Sequence, residues 1–243
     1  MAKTRLDNYL VDNGHYETRS RAVSAIKAGK VTIDGQVETK PARKISPYSK
    51  IESVQEHPWV SRAGMKLARA LDVFDIEIAD RFCLDVGAST GGFTEVLISQ
   101  GASKVYAVDV GRDQLHQRLQ DHPKVISMEA TDARDLTADV FDPLPNLVVC
   151  DASFISAMKV LQIPLSLCEA GTELITLVKP QFEVGRDNIG RGGLVKDEAM
   201  ARWALVIVCA WAENEGWTVL KTTDSPITGG DGNREYLLHA RKR

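Results

Sequence analysis

Two segments of this chain combine residues suited to a nucleotide-like ligand with a residue that can accept a proton. Residues 84–93, Leu-Asp-Val-Gly-Ala-Ser-Thr-Gly-Gly-Phe, read as an apolar strand that enters a glycine-rich turn and then a helix. Such a turn lets the backbone approach a ligand closely, and the helix start offers free N–H groups. Residues 177–182, Leu-Val-Lys-Pro-Gln-Phe, end an apolar strand on Lys179. Because the carboxyl ends of strands in an open α/β sheet face the ligand crevice, the two segments predict an enzyme.

Acidic residues mark the carboxyl ends of four successive predicted strands: Asp85, Asp109, Asp132 and Asp151. The glycine-rich turn lacks the Lys-Ser/Thr pair of a P-loop and departs from the Gly-x-Gly-x-x-Gly spacing of NAD sites. Asp109 is placed to bind ribose hydroxyls, and Asp132 to meet an adenine amino group. The set favours a nucleoside without phosphates, although each acid alone is equally consistent with a helix N-cap.

Lys66 and Glu235 complete the set of candidate catalytic residues. Lys66 lies on a predicted helix after Ser-Arg-Ala-Gly-Met, and Glu235 opens the last apolar strand after Gly-Asn-Arg. Taken singly, Lys66 and Lys179 are also consistent with solvated lysines and Glu235 with a solvated acid at a strand end.

The length and the charge distribution predict two modules. The chain has 243 residues, 44% hydrophobic and 26% charged, and a net charge of −3, which is ordinary globular composition. Residues 1–60 carry ten Lys and Arg against seven Asp and Glu, whereas residues 61–243 carry 20 against 26. A basic module on an acidic body indicates a polyanionic partner. We predict domains at 1–56 and 62–243, joined by a linker at 57–61.

The second domain alternates strand and helix patterns, which is typical of a mostly parallel sheet. Strands are predicted near 81–86, 104–109, 124–128, 146–150, 173–178, 217–223 and 235–240, and helices near 62–73, 92–100, 155–168 and 197–215. The last two strands are predicted to form an antiparallel hairpin at one edge. In the first module, the apolar spacing predicts two helices separated by Gly14, followed by a hairpin turning at Asp34-Gly35, a loop over 40–47 and a strand at 51–54.

The sequence favours a cytoplasmic protein. Its amino terminus lacks the apolar segment of a signal peptide, and no stretch is long and apolar enough to span a membrane. Cys83, Cys150, Cys168 and Cys209 lie in apolar stretches without metal-ligand spacing, so we expect buried free thiols and no metal site.

Five segments carry a resemblance to the TlyA family, and the resemblance covers essentially the whole chain, in order. They are Ser-Arg-Ala-Gly-Met-Lys-Leu, the glycine-rich turn at 84–94, Asp-Ala-Ser-Phe-Ile-Ser at 151–156, Leu-Val-Lys-Pro-Gln-Phe-Glu-Val-Gly at 177–185, and Gly-Asn-Arg-Glu-Tyr at 232–236. The family joins a small αL-type RNA-binding module to an FtsJ-like methyltransferase domain. The resemblance therefore implies an α/β fold: a Rossmann-like class I methyltransferase sheet of seven mostly parallel strands with one antiparallel edge strand, behind a small α+β domain.

The resemblance also implies a cofactor, a substrate and site residues. The cofactor is S-adenosylmethionine, and the substrate is ribosomal RNA or a ribosomal subunit, methylated on the ribose 2′-hydroxyl of a cytidine in 16S and/or 23S rRNA. The catalytic tetrad is Lys66, Asp151, Lys179 and Glu235. The expected cofactor-binding residues are Asp85, Gly87, Ser89, Thr90, Gly91, Gly92, Phe93, Asp109, Asp132 and Asp151. No membrane contact and no obligate protein partner are expected.

The residues themselves are suited to this chemistry. A ribose hydroxyl is a weak acid, so a base must take its proton as the methyl group transfers. A lysine can do so near neutral pH only where burial and a second ammonium group, here from Lys66, favour its neutral amine form. Asp151 and Glu235 would orient the two lysines.

Five basic residues and one serine of the first module form its expected RNA face: Arg5, Arg19, Ser20, Arg21, Lys27 and Lys30. Arginine and lysine there would bind phosphates and position the enzyme without reading bases. Two other functions stay open at this point. One is an RNA-binding or ribosome-binding protein with a methyltransferase fold, and the other is a haemolysin-associated protein that acts indirectly.

Overall fold

The computed structural model describes residues 4–16, 18–53 and 57–243. It divides the chain into two compact units, Met1–Pro58 and Trp59–Arg243. The division falls inside the stretch 57–61 that we assigned to the linker, while the predicted ends of the two domains stay a prediction. Within the second unit, Trp59 packs its indole against Gly64, where an added Cβ would come within 2.4 Å of the ring.

The amino-terminal unit contains two helices and five short strands among its described residues. They are β1 (Thr4–Arg5), α1 (Leu6–Asp12), α2 (Arg19–Lys27), β2 (Val31–Ile33), β3 (Gln36–Val37), β4 (Lys44–Ile45) and β5 (Ile51–Ser53). The hairpin turns at Asp34-Gly35 as predicted, and both residues have positive φ, which such a turn requires. The predicted loop over 40–47 is wrong in part, because β4 lies inside it and pairs antiparallel with β1. Val54, which ends the predicted strand, lies outside the described residues.

The carboxy-terminal unit alternates strands and helices. Its main elements are α3 (Ala63–Phe74), β6 (Phe82–Val86), α4 (Gly92–Ser99), β7 (Lys104–Val108), α5 (Gln117–Gln120), β8 (Val125–Met128), β9 (Leu147–Cys150), α6 (Ala157–Ser166), β10 (Glu173–Val178), α7 (Pro180–Glu183), α8 (Glu198–Asn214), β11 (Trp217–Asp224) and β12 (Tyr236–Lys242). The seven predicted strands and the four predicted helices are all present. Sequence reasoning missed α5 and α7, because a single helical turn is too short to show a 3.6-residue period.

Among residues 57–243, all of which the structure describes, seven strands form one sheet in the order β11-β12-β10-β9-β6-β7-β8. The predicted α/β fold with a mostly parallel sheet is confirmed. The last two strands form the expected antiparallel hairpin at one edge, and β12, its inner strand, pairs antiparallel with both β10 and β11.

The sheet is covered on both faces, as parallel sheets are. Successive residues of β6 point to opposite sides, so that Cys83 packs with Leu67, Phe93 and other residues of α3 and α4. Leu84 packs on the other side with α6 and α8. Cys83, Cys150 and Cys168 are buried free thiols as predicted, whereas Cys209 is half-buried.

Glu173, at the start of β10, contacts three basic residues at the edge of the sheet opposite to Lys179. Its Oε1 lies 3.1 Å from Nε2 of His239 and 3.0 Å from Nη2 of Arg241, both on β12, and Oε2 pairs with Arg81 before β6. Hydrogen bonding from His239, with smaller contributions from the two arginines, lowers the pKa of the Glu173 carboxyl to about 2.

We expect Glu173→Gln to lower the free energy of unfolding at pH 7 by about 3 kcal/mol, the scale of breaking a buried ion pair. Because the folded pKa lies below the unfolded one, the stabilisation is present above the unfolded pKa and is lost as pH falls toward 2. Chemical denaturation between pH 7 and 2.5 measures this. The exposed Glu169→Gln is the control. Equal acid sensitivity of wild type and Glu173→Gln would contradict the assignment.

Candidate active site

Four charged residues from four elements meet at one edge of the sheet. Lys66 lies on α3, Asp151 directly follows β9, Lys179 directly follows β10, and Glu235 directly precedes β12. The edge is shared because β9 and β10 end there, while β12, which runs the other way, begins there. The structure thus brings together all four residues of the predicted tetrad.

The four side chains form a row of alternating charge. Lys66 Nζ lies 2.7 Å from Glu235 Oε2 and 3.3 Å from Asp151 Oδ2. Asp151 Oδ1 in turn lies 2.7 Å from Lys179 Nζ. The four side chains are 3–11% exposed. Buried charges of this kind persist where each has an opposite charge in contact, and two cations with two anions leave the cluster neutral.

The row lines a cavity of about 490 Å³. Its wall includes Gly87, Ser89, Thr90, Gly92 and Phe93 of the glycine-rich turn and the start of α4. The tetrad and six of the ten expected cofactor-binding residues, Asp151 being in both sets, therefore face one space.

A second cavity, of about 590 Å³, adjoins the first and shares Gly87, Ser89 and Asp151 with it. Asp109 and Asp132 lie in its wall. Asp109 Oδ2 accepts a hydrogen bond from Ser89 N at 2.8 Å, and Oδ1 accepts one from Gly111 N at 2.7 Å. These bonds hold the carboxylate in place while each oxygen keeps a second lone pair for a ligand hydroxyl.

The Asp132 carboxylate, which was predicted to meet an adenine amino group, is already bound by Arg134 in the structure. Both of its oxygens accept hydrogen bonds from the Arg134 guanidinium, and Oδ1 also accepts one from Arg134 N. This pairing with Arg134 lowers the pKa of the Asp132 carboxyl. An adenine amino group at Asp132 would therefore share the carboxylate with Arg134.

The glycine-rich turn fits a bound nucleoside. Gly87 has a φ of +81°, and an added Cβ would meet the Ala152 backbone at 2.8 Å. The missing side chain lets the turn pack directly against Ala152, at the point where the two cavities share Gly87. A carboxylate at Asp109, a backbone turn without a side chain at Gly87 and an adjoining cavity lined by charged residues are suited to the ribose and the amino acid part of S-adenosylmethionine.

Asp85 and Gly91, which were predicted to bind the cofactor, line neither of the two cavities of this fully described unit. Asp85 is buried and accepts a hydrogen bond from Thr94 Oγ1 at 2.7 Å, and burial raises its pKa to about 7. At Gly91, an added Cβ would meet Leu119 Cδ1 at 2.2 Å, so this glycine serves packing. Both act on the turn through contacts inside the protein.

Sequence reasoning missed several residues at the cavity walls. Ser153 and Phe154 line both cavities, and Arg62, Gln181 and Asp231 line the first. Phe154 is 92% exposed. The segment Asp-Ala-Ser-Phe that follows β9 carried the signal for Ser153 and Phe154, since it leaves a strand at the edge where ligands bind.

The predicted RNA-facing residues of the amino-terminal unit fall into two groups. Arg5 and Arg19 both pair with the buried carboxylate of Asp7, at 2.8 Å and 2.9 Å. These contacts, first of all the hydrogen bond from Arg5, hold the pKa of Asp7 far below its usual range. Ser20, Lys27 and Lys30 are exposed and Arg21 is half-buried. Arg19 is thus also part of the fold of this unit, a role that its sequence position did not indicate.

Two features typical of other function classes are absent from the described residues. Among residues 4–16, 18–53 and 57–243, no helix has the length and apolar character needed to cross a bilayer. The same residues contain no group of three or more His, Cys, Asp or Glu placed to hold a metal ion.

Comparison with protein families identifies two matching regions. Residues 59–242 match the FtsJ-like methyltransferase family, and residues 4–48 match the S4 domain. Together these matches extend over most of the chain.

Individual proteins are similar over the full length. The 16S/23S rRNA (cytidine-2′-O)-methyltransferase TlyA of Mycobacterium tuberculosis is 42% identical over 98% of this chain and 90% of its own length. A solved structure described as a "putative hemolysin" from Streptococcus thermophilus is 39% identical, with a TM-score of 0.79 over 100% of this chain and 89% of that one.

A more distant structure shares the fold of the second unit. The S-adenosylmethionine dependent methyltransferase from Mesorhizobium loti superimposes with a TM-score of 0.53 at 13% identity, over 72% of this chain and 96% of that one. The family matches and the full-length relatives together establish that the chain belongs to the TlyA family of FtsJ-like methyltransferases with an amino-terminal S4 domain.

Proposed function

We propose that this protein is an S-adenosylmethionine-dependent methyltransferase that methylates the ribose 2′-hydroxyl of a cytidine in 16S and/or 23S rRNA. The observation that carries the proposal is the row Glu235–Lys66–Asp151–Lys179 on the wall of a cavity that adjoins the Asp109 cavity. The 42% identity to a protein named for this reaction supports it. Because the proposed substrate is ribosomal RNA, we expect the enzyme to act in the cytoplasm.

Lys179 is the proposed proton acceptor. The 2′-hydroxyl must lose its proton as its oxygen attacks, and an amine held beside the cavity can take it. Lys66 lies on the other side of Asp151, with its Nζ 3.3 Å from Oδ2. Both Glu235 and Asp151 contact Lys66 and hold it in place, whereas Lys179 contacts only Asp151 of the two acids, so the role of proton acceptor is assigned to Lys179.

The residues of the second cavity would hold the cofactor. Asp109 would bind the ribose hydroxyls of S-adenosylmethionine, Asp132 with Arg134 would border the adenine, and the backbone at Gly87 would approach the amino acid part. When bound, the cofactor supplies a methyl group on a positively charged sulfur. Asp151 and Ser89, which lie in the walls of both cavities, would place the target hydroxyl next to that methyl group.

The amino-terminal unit would supply affinity for RNA. The second unit carries more acidic than basic residues, whereas residues 1–60 are basic, and phosphate contacts dominate RNA affinity. Lys27 at the end of α2 and Lys30 before β2 are exposed, and lysines of this kind bind phosphates without reading bases. Relatives described as hemolysins do not add a second candidate function, since no observation on the described residues favours a lytic one.

Lys179→Ala is expected to lower methyl transfer to ribosomal RNA by at least about 100-fold, the lower range for removal of a general base. Binding of S-adenosylmethionine should change little, because Lys179 lines the first cavity and not the second. Radiolabelled methyl transfer measures the first quantity and calorimetry the second. Near-normal turnover of the variant would refute the assignment of Lys179.

Asp109→Ala is expected to weaken S-adenosylmethionine binding by about 1–3 kcal/mol, the scale of hydrogen bonds to a charged group. Calorimetry of the variant and of a control, the exposed Asp139→Ala, measures this. Wild-type affinity in Asp109→Ala would leave Asp109 with a structural role only, as the acceptor for Ser89 N and Gly111 N.

Lys27→Glu and Lys30→Glu are each expected to weaken RNA binding and to lower its salt dependence by about one unit of slope in log K against log salt. They are better probes than Arg19→Glu, because a glutamate at 19 would repel the buried Asp7. Filter binding at several salt concentrations measures the slope. Lys159→Glu, the same change at an exposed site of α6, is the control. Slopes equal to wild type would remove these lysines from the RNA interface.

A further inference from the structure

Lys179 Nζ has its hydrogen-bonding capacity fully used inside the protein. Among the described residues, three oxygens surround it: Asp151 Oδ1 at 2.7 Å, the Asp151 backbone oxygen at 3.1 Å and Ser153 Oγ at 2.7 Å. An ammonium group has three N–H bonds, so the three oxygens match the protonated state. A neutral amine has two N–H bonds and one lone pair. In this buried place the lone pair must accept a hydrogen bond from a neighbouring donor.

Ser153 is the neighbour that can supply this donor. A carboxylate and a backbone carbonyl only accept hydrogen bonds, whereas a serine hydroxyl both donates and accepts. When Lys179 is neutral, the Ser153 hydroxyl can turn its proton toward Nζ without moving its oxygen. The 2.7 Å contact then stays in place in both protonation states of the lysine.

Ser153 is also more accessible from the ligand space than the lysine is. Lys179 is 6% exposed, whereas Ser153 is exposed and lines both the tetrad cavity and the Asp109 cavity. A hydroxyl group that enters from the cavities can approach Ser153 Oγ more freely than it can approach Lys179 Nζ.

We propose that Ser153 relays the proton of the target ribose hydroxyl to Lys179. The ribose O–H bond breaks and its proton passes to Ser153 Oγ, while the Ser153 hydroxyl proton passes to Lys179 Nζ. The ribose oxygen forms a bond to the methyl carbon as the carbon–sulfur bond of the sulfonium breaks, and the sulfur keeps that electron pair as a thioether. Serine ends neutral and lysine ends as an ammonium, so one positive charge moves from sulfur to Nζ. The inference rests on the proposed function and assigns Ser153 to its catalytic step.

The test uses the full-length chain with Ser153→Ala, Ser153→Thr and Ser156→Ala. Ser156→Ala is the matched control, because it removes a hydroxyl from the same segment whose Oγ bonds to Glu183 and not to the tetrad. We expect the single-turnover rate of Ser153→Ala on ribosomal RNA to fall at least about tenfold, since general acid–base groups contribute more than this. Ser153→Thr, which keeps the hydroxyl, should stay within about threefold of wild type.

Two further measurements separate a relay from a structural role. S-adenosylmethionine affinity by calorimetry should stay within about twofold of wild type in all three variants. In mixtures of H₂O and D₂O, a plot of the wild-type rate against the deuterium fraction should be curved, because two protons move together in the methyl-transfer step. The same plot for any residual rate of Ser153→Ala should be linear, because only one proton moves in that step.

The outcomes distinguish the relay from the proposed function. A Ser153→Ala rate equal to wild type, a Ser153→Thr as slow as Ser153→Ala, or an equal loss in Ser156→Ala would each overturn the relay. None of these outcomes bears on the role of Lys179, which the Lys179→Ala variant tests. A wild-type protein that binds S-adenosylmethionine but transfers no methyl group to ribosomal RNA would overturn the proposed function itself.

Discussion

Asp151 lies between two ammonium groups, with one carboxylate oxygen 2.7 Å from Lys179 and the other 3.3 Å from Lys66. This contact makes the cluster tolerable in a nearly buried place, because two unpaired cations there would repel each other and lose their hydration. Glu235 neutralises the second lysine from the far side. Removing any one of the four would leave a buried charge uncompensated, so the rest of the fold has to keep all four in contact.

The direction of the strands explains how the fold meets this requirement. Parallel strands β9 and β10 are neighbours, so the residues that follow them, Asp151 and Lys179, arrive side by side. Strand β12 runs the other way and pairs Tyr236 with Val178. That register places Glu235, just before the strand, at the same edge. An antiparallel strand beside β10 is thus what allows an acid near the carboxy terminus to reach a site built on earlier strand ends.

A similar solution recurs in the amino-terminal unit on a smaller scale. Asp7 is buried and pairs with Arg5 and Arg19, whose side chains remain 42% and 60% exposed. The carboxylate fixes two guanidinium groups at the surface of a small core made by residues such as Leu6, Leu10 and Ile26. In both units an acid with little exposure holds two cations, but only in the amino-terminal unit do those cations remain largely exposed.

The sequence by itself determined the fold class, the number of strands in the second unit and their positions along the chain, and the four residues that meet in the charged row. Apolar runs, glycine turns and the five family segments are local patterns, and a local pattern is readable without coordinates. It did not determine that Asp85 and Gly91 face the interior, because strand alternation and helix packing decide which side of a short turn meets the ligand. The contacts of Ser153 with Lys179, of Arg19 with Asp7 and of β4 with β1 join residues 26, 12 and about 40 positions apart. Such contacts exist only once the chain has folded, since they depend on which surfaces the buried core brings together, and only the tertiary structure decided them.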